Sequence, residues 1–290
     1  MQFYGKAEET GYKLLEAFQA GTVPAALAPL FIRHNQERHC AGWSWTNQLM
    51  VALNGYSDAR TYKGWQQVGR QVRKGEKAFP ILEPVRFQTE DEATGEKRSV
   101  LVGFRAGTRF GIEQTEGDSV DALEHPTAFV DTLPLLGVAK AWGLAVSTYN
   151  GKQGTAQGYF RYNSLTGQGQ TIALGVENLS TWCHELIHAA DLRLGNLVEK
   201  GQHWASETVA ELGGCILLHI LGQPDAADDG GAWSYINTYT KANDLDPIMV
   251  CIDVLDRTCK AVSHILDAAQ QVEEADPQPG QDEVLVPHPA

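Results

Sequence analysis

Residues 180–194 read STWCHELIHAADLRL, and residues 204–221 read WASETVAELGGCILLHIL. The first stretch contains His184-Glu185-Leu186-Ile187-His188. On a helix, positions i and i+4 share one face, so both imidazoles turn toward one point. That pairing suits one metal ion held by His184 and His188. The intervening Glu185 can then act as general base toward a water. The second stretch adds carboxylates. Glu207 and Glu211 share a face of an otherwise apolar helix, where two unpaired carboxylates are costly to bury. One as third ligand and the other as a carboxylate orienting an imidazole explains both. Cys183 adjoins His184, but successive helical side chains point apart, so it falls outside this set. His203 and His219 read as structural or surface residues, and position 194 is Leu, not a further imidazole.

Working outward, Gln170–Val176, Ala156–Asn163 and Leu144–Tyr149 read as three strands before the motif helix. Gly-rich turns between them predict a meander. Ser180 is placed to cap the motif helix, and Gly195-Asn196 ends it. Helices are expected at about 127–143, 204–221 and 247–272. Nearer the start, apolar spacing predicts helices over 7–19 and about 43–54. Ala78–Phe87 and Ser99–Phe104 read as strands joined by a charged turn. The acidic, aperiodic stretch 116–126 marks a domain boundary. The last eighteen residues are acidic and Pro-rich, which predicts a disordered tail.

Composition sets the frame for two jobs. The chain has 290 residues, 43% of them hydrophobic, enough for two cores of ordinary size. Its net charge of −13 argues, taken whole, against nucleic-acid binding. By segment the charge splits. Residues 1–59 carry −1, residues 60–110 carry +5 from eleven Lys and Arg, and residues 111–290 carry −17. The opening residues lack the uninterrupted apolar core of a signal peptide. The five Cys are odd in number and form no CxxC pair, as expected of reduced, buried thiols in a cytoplasmic protein.

In the basic island, Arg60, Lys63, Arg70, Arg73, Lys74 and Lys77 fall within eighteen residues. Tyr62, Trp65 and Phe79 interleave with them, and Trp43 and Trp45 lie upstream. Cations that track a backbone, with rings that stack on splayed bases, suit single-stranded nucleic acid. The bland alternative is a solvated basic surface with the Trp residues in the core. A DNA-mimic role for the acidic half is disfavoured, because its carboxylates show no phosphate-like period.

The stretch WTNQLMVALNGYSDARTYKGWQQVGRQVRKGEKAFPILEPV (residues 45–85) resembles the N-terminal domain of ArdC-type antirestriction proteins. So does RFGIEQTEG at 109–117, while HELIHAAD and SETVAEL resemble the zincin-like domain that follows. The resemblance spans about residues 10–222. It implies an α+β protein of two domains: a small α+β domain over 1–120 that binds single-stranded DNA, and a gluzincin-like zincin over 121–272 with a short antiparallel sheet. A tail over 273–290 follows. It also implies carriage on conjugative plasmids, protection of incoming DNA from restriction, and a metallopeptidase site. The DNA-contact candidates are Trp43, Trp45, Asn47, Tyr62 and Lys63, with Trp65, Arg70, Arg73, Lys74 and Lys77. The Glu-x-x-x-Glu spacing is similar to the Glu-x-x-x-Asp helix of gluzincins. That similarity makes Glu207 the ligand and Glu211 the orienting carboxylate. The ion is zinc by this reading, with manganese the other choice, and a host protein would be the substrate. The rival reading is a non-enzymatic DNA-coating protein with a structural metal.

Overall fold

The computed structural model describes residues 2–32, 38–90, 97–117, 133–148, 158–162, 169–174, 178–197 and 203–275. Its longest strands form one antiparallel hairpin, β4 (Phe79–Glu90) with β5 (Lys97–Gly111). A register shift falls between Val85 and Arg86. β1 (Gln2–Tyr4) adds to β5 in parallel, and β2 (Ala59–Arg60) pairs with its far end. A separate two-stranded sheet joins β3 (Arg70–Val72) to β6 (Thr115–Gly117). Between the strands lie α1 (Lys6–Gln19), α2 (Val23–Ile32), α3 (Trp45–Leu53) and α4 (Tyr62–Gln67). Ser44 caps α3 through the Asn47 N–H, and Thr61 caps α4 through the Gly64 N–H.

The second half holds α5 (Leu136–Ala141), β7 (Ala145–Thr148), β8 (Gly158–Arg161) and β9 (Thr171–Leu174). Four helices complete it: α6 (Leu179–Arg193), α7 (Trp204–Ile220), α8 (Gly231–Asn243) and α9 (Pro247–Ala275). The expected meander is corrected. The strand order is β7-β9-β8, with β7 parallel to β9 and β8 antiparallel to it, so the sheet is mixed. β9 is therefore central, with β7 and β8 as the outer strands among the described residues. The expected cap is corrected too. Asn178, not Ser180, accepts from the Thr181 N–H, so α6 starts two residues earlier.

Three helices were not foreseen from periodicity: α2, the short α4 and α8. α2 is apolar at every position, so its sequence shows no polar stripe, although Ala25 and Pro29 are exposed. It packs on α7, tying the first half to the helix that carries Glu207. α8 has only Ala232, Ile236 and Thr240 buried, a narrow stripe. Of the helix expected at 127–143, α5 supplies 136–141, and residues 118–132 lie outside the described residues. Most of the expected boundary at 116–126 lies there as well. α9 runs to Ala275, and the rest of the expected tail lies outside the described residues. α9 is the spine: it touches α1, α3, α5, α6, α7 and α8. One apolar core joins Leu14, Phe31 and Leu49 to Leu186, Ile216 and Leu255. No single described helix is long and apolar enough to cross a membrane. All five Cys are free and buried.

Candidate metal centre

α6 and α7 lie against each other because α7 offers glycine at the contact. A Cβ on Gly213 would sit 2.7 Å from Ile187 Cδ1, and one on Gly214 would sit 3.2 Å from the His184 N. With no Cβ there, the helices close. The two His of α6 then meet the two Glu of α7. His184 Nε2 lies 3.4 Å from Glu207 Oε2, and His188 Nε2 lies 3.8 Å from Glu207 Oε1. His184 Nδ1 lies 3.3 Å from Glu211 Oε2. Ligand atoms of His184, His188 and Glu207 all fall within 4.8 Å of one another. Two imidazoles and one carboxylate are a donor set that suits zinc or manganese. Glu211 engages the ring nitrogen of His184 opposite the one near Glu207, where an orienting carboxylate belongs.

The electrostatics follow from this crowding. Burial opposes charge on His184, but hydrogen bonds to Glu207 and Glu211 outweigh it and lift its pKa to about 9. Burial likewise opposes charge on Glu207, yet its bonds to His184 and His188 pull it down to about 2. Glu185 behaves differently. Burial raises its pKa, and the nearby imidazoles offset this only in part. Its carboxylate accepts from the Phe160 N–H of β8. Gly158 makes that approach possible, since a Cβ there would overlap Thr181 Cγ2 and lie 3.2 Å from Glu185 Oε1. The carboxylate thus sits between the motif helix and the sheet edge.

Three further features support the site, and the sequence reading missed them. Asp191, one turn beyond His188, is fully buried. Its two oxygens accept from Arg257 of α9, and Asn196 Nδ2 donates to it at 2.9 Å. Arg257 also donates to Ser206 Oγ at 3.0 Å, next to Glu207. From α8, Tyr235 lies within electrostatic reach of Glu207 and Glu211, and burial and both charges raise its pKa. The signals were present but weak: an Asp at i+3 from His188, an Arg in a long helix, and Tyr-x-x-x-Tyr in α8. His219 is occupied elsewhere, paired with Asp229 at 3.0 Å.

The residues singled out for DNA contact divide sharply. Trp65 is 0% exposed and donates from Nε1 to the Phe110 carbonyl at 2.8 Å, so its ring is core and cannot stack on a base. Asn47 is also buried. Its side chain donates to the Leu82 carbonyl and accepts from the Leu82 N–H, both at 2.8 Å, clamping α3 to β4. Trp45 stacks on Phe31 with centroids 4.6 Å apart. Arg70 donates to Thr115 Oγ1 at 2.7 Å, and Arg73 donates to Glu76 and to the Glu113 carbonyl. Lys63, Lys74 and Lys77 are exposed, as is Tyr62 at 43%. Trp43 is half-buried under the Arg109 guanidinium, 5.4 Å from its ring, at a cleft of about 660 Å³.

Comparison with known proteins gives a family match for the first part of the chain and two similar solved structures. Residues 7–118 match the family model described as the N-terminal domain of anti-restriction factor ArdC. The crystal structure of the antirestriction ArdC protein from plasmid R388, in its Mn(II)-bound form, is similar with a TM-score of 0.60 and 20% identity. That likeness covers 92% of this chain and 98% of the other. The metal-free form of the same protein is similar with a TM-score of 0.55 and 21% identity, over 88% and 98%. No curated protein matches the chain.

Proposed function

We propose that this chain, whose residues 7–118 belong to the ArdC N-terminal domain family and which follows the ArdC fold over most of its length, is an antirestriction protein. By this reading it binds single-stranded DNA with its first half and carries a metallopeptidase-like centre in its second. The observation that carries it is the convergence of His184, His188 and Glu207 beside the buried Glu185. The R388 protein holds Mn(II), which supports a divalent ion here, with zinc and manganese both compatible with the donor set.

A divalent ion at that site would polarise a carbonyl and ease loss of a proton from water. The chain's own residues do the rest. His184, His188 and Glu207 hold the ion, and Glu211 orients His184. Glu185, made more basic by burial and kept ionised by the imidazoles, takes the proton from the attacking water. It then returns that proton to the departing amine. The backbone of β8, an outer strand among the described residues and close to Glu185, offers hydrogen bonds to an extended substrate. DNA contact is assigned to the exposed Tyr62, Lys63, Lys74 and Lys77, with Trp43 at the neighbouring cleft.

The test compares wild type, His188→Ala and Glu185→Gln for metal content and for protection of incoming DNA in cells that restrict it. Wild type and Glu185→Gln are expected to carry one divalent ion, and His188→Ala none. Loss of protection in both variants supports the enzymatic reading. Full protection by Glu185→Gln would leave a DNA-coating protein with a structural ion.

A further inference from the structure

The register of α8 along α7 is pinned at both ends. At one end Gly231 lies so near Glu211 that a Cβ there would be 2.7 Å from its Oε1. At the other, Tyr239 stacks on Trp204 with ring centroids 3.6 Å apart and planes 14° from parallel. On α7, Glu211, Glu207 and Trp204 follow one another along a face at steps of four and three residues. On α8, Gly231, Tyr235 and Tyr239 do so at steps of four. The middle rung sets Tyr235 against Glu207. Its ring is 40% exposed, and its hydroxyl has no hydrogen-bond partner among the described residues. A cavity of about 370 Å³ opens alongside, lined by Trp204, Ser234, Tyr235, Thr238, Tyr239 and Ala242.

We propose that this cavity receives an aromatic side chain of a polypeptide substrate, and that Tyr235 donates a hydrogen bond to the carbonyl oxygen of the bond beside it. It rests on the metal-centre reading above and names the subsite and the oxyanion donor of that same centre. The volume falls in the range of pockets that enclose small organic groups, and an aromatic wall favours a ring. A polypeptide is chosen over a nucleobase because a phosphate backbone would have to pass Glu207 and Glu211. In the step, the water oxygen bonds to the carbonyl carbon and the π electrons move onto the carbonyl oxygen. Tyr235 keeps its proton and shares it with that oxygen as charge develops. Glu185 carries the water proton to nitrogen, the C–N bond breaks, and acid and amine result.

The test uses the full chain loaded with Zn(II) or Mn(II) and two probes with tetrahedral oxygens, benzylphosphonate and methylphosphonate. Calorimetric titration reads probe affinity, and a separate titration reads metal affinity. Wild type is expected to prefer the benzyl probe by about tenfold. Tyr235→Phe weakens both probes roughly tenfold, as loss of a hydrogen bond to a charged group does, and leaves metal affinity within about twofold. Tyr235→His, which keeps a donor, recovers part of the loss. Ala242→Phe narrows the cavity and removes the benzyl preference alone. Undiminished probe affinity in Tyr235→Phe, or equal affinity of wild type for both probes, overturns the inference while the metal centre stands. A wild-type chain that takes up no divalent ion overturns both.

Discussion

The α6–α7 centre and the basic island at residues 60–77 were both marked by residue type and spacing, yet only one of them was assembled as marked. In the centre, four side chains from two helices meet with nitrogen–oxygen separations of 3.3–3.8 Å. In the island, a row of basic and aromatic residues comes apart into core, scaffold and surface. The difference is one of geometry. A helix repeats every 3.6 residues, so i and i+4 share a face wherever the helix goes. The island is a six-residue helix, a turn and a three-residue strand, and no period survives three changes of backbone.

The largest effect that would break this contrast lies at Trp65. It is fully buried and anchored through its N–H to Phe110. Trp65→Ala should cost about 3–5 kcal/mol, the usual price of removing a large buried ring. Urea unfolding would read it. A variant with unchanged midpoint and weakened DNA binding would return Trp65 to the interface and erase the distinction.

Those same particulars show what the sequence could disclose. His184, Glu185, His188, Glu207 and Glu211 were legible because chemistry and helical period agreed at each position. The bounds of α1 and α7 were legible to within one residue, whereas β5, expected over Ser99–Phe104, runs from Lys97 to Gly111. α2 was not legible, because a helix apolar at every position has no stripe to read. The order β7-β9-β8 was not, because strand neighbours are set by what α5 and α6 cover, and turn residues cannot report a crossover. Tyr235 was hidden by its setting. Nothing in GAWSYINTYTKAN says that Gly231 and Tyr239 fix it opposite Glu207. Trp65 and Asn47 show the reverse error, in which residue types suited to nucleic acid turn out to hold strands in place.

A second test sharpens the claim that the centre is held by packing from outside it. Asp191 is 0% exposed and accepts from Arg257, which also reaches Ser206. Asp191→Ala removes the acceptor and leaves a guanidinium among buried neighbours. A loss of about 3 kcal/mol is expected, at the low end for a broken buried pair because Arg257 keeps 22% of its side-chain exposure. Since Arg257 bridges α6 and α7 next to Glu207, divalent-ion affinity should fall together with stability. Metal titration alongside thermal unfolding would show it. Weakened stability with unaltered metal affinity would mean that the Gly213–Gly214 contact alone positions the ligands.

The smallest effect concerns the surface of the island. Lys63, Lys74 and Lys77 are exposed and have no ion-pair partner among the described residues, whereas Arg70 and Arg73 are bonded to the strand around Thr115. The two sets should therefore part company. Lys74→Ala with Lys77→Ala should change stability by no more than about 0.5 kcal/mol, as exposed substitutions do. If each lysine neutralises one phosphate, the pair should lower the slope of log affinity against log salt by roughly 1.4 for single-stranded DNA. Arg73→Ala should do the opposite. It loses bonds to Glu76 and to the Glu113 carbonyl, so unfolding should move and the salt slope should hardly change. Binding of a labelled single strand over a salt series, read beside a melting curve, separates the two. An unchanged slope in the double lysine variant would move the DNA path away from residues 60–77 and toward the Trp43–Arg109 cleft. There a half-buried ring under a guanidinium already has the chemistry of a stacking platform.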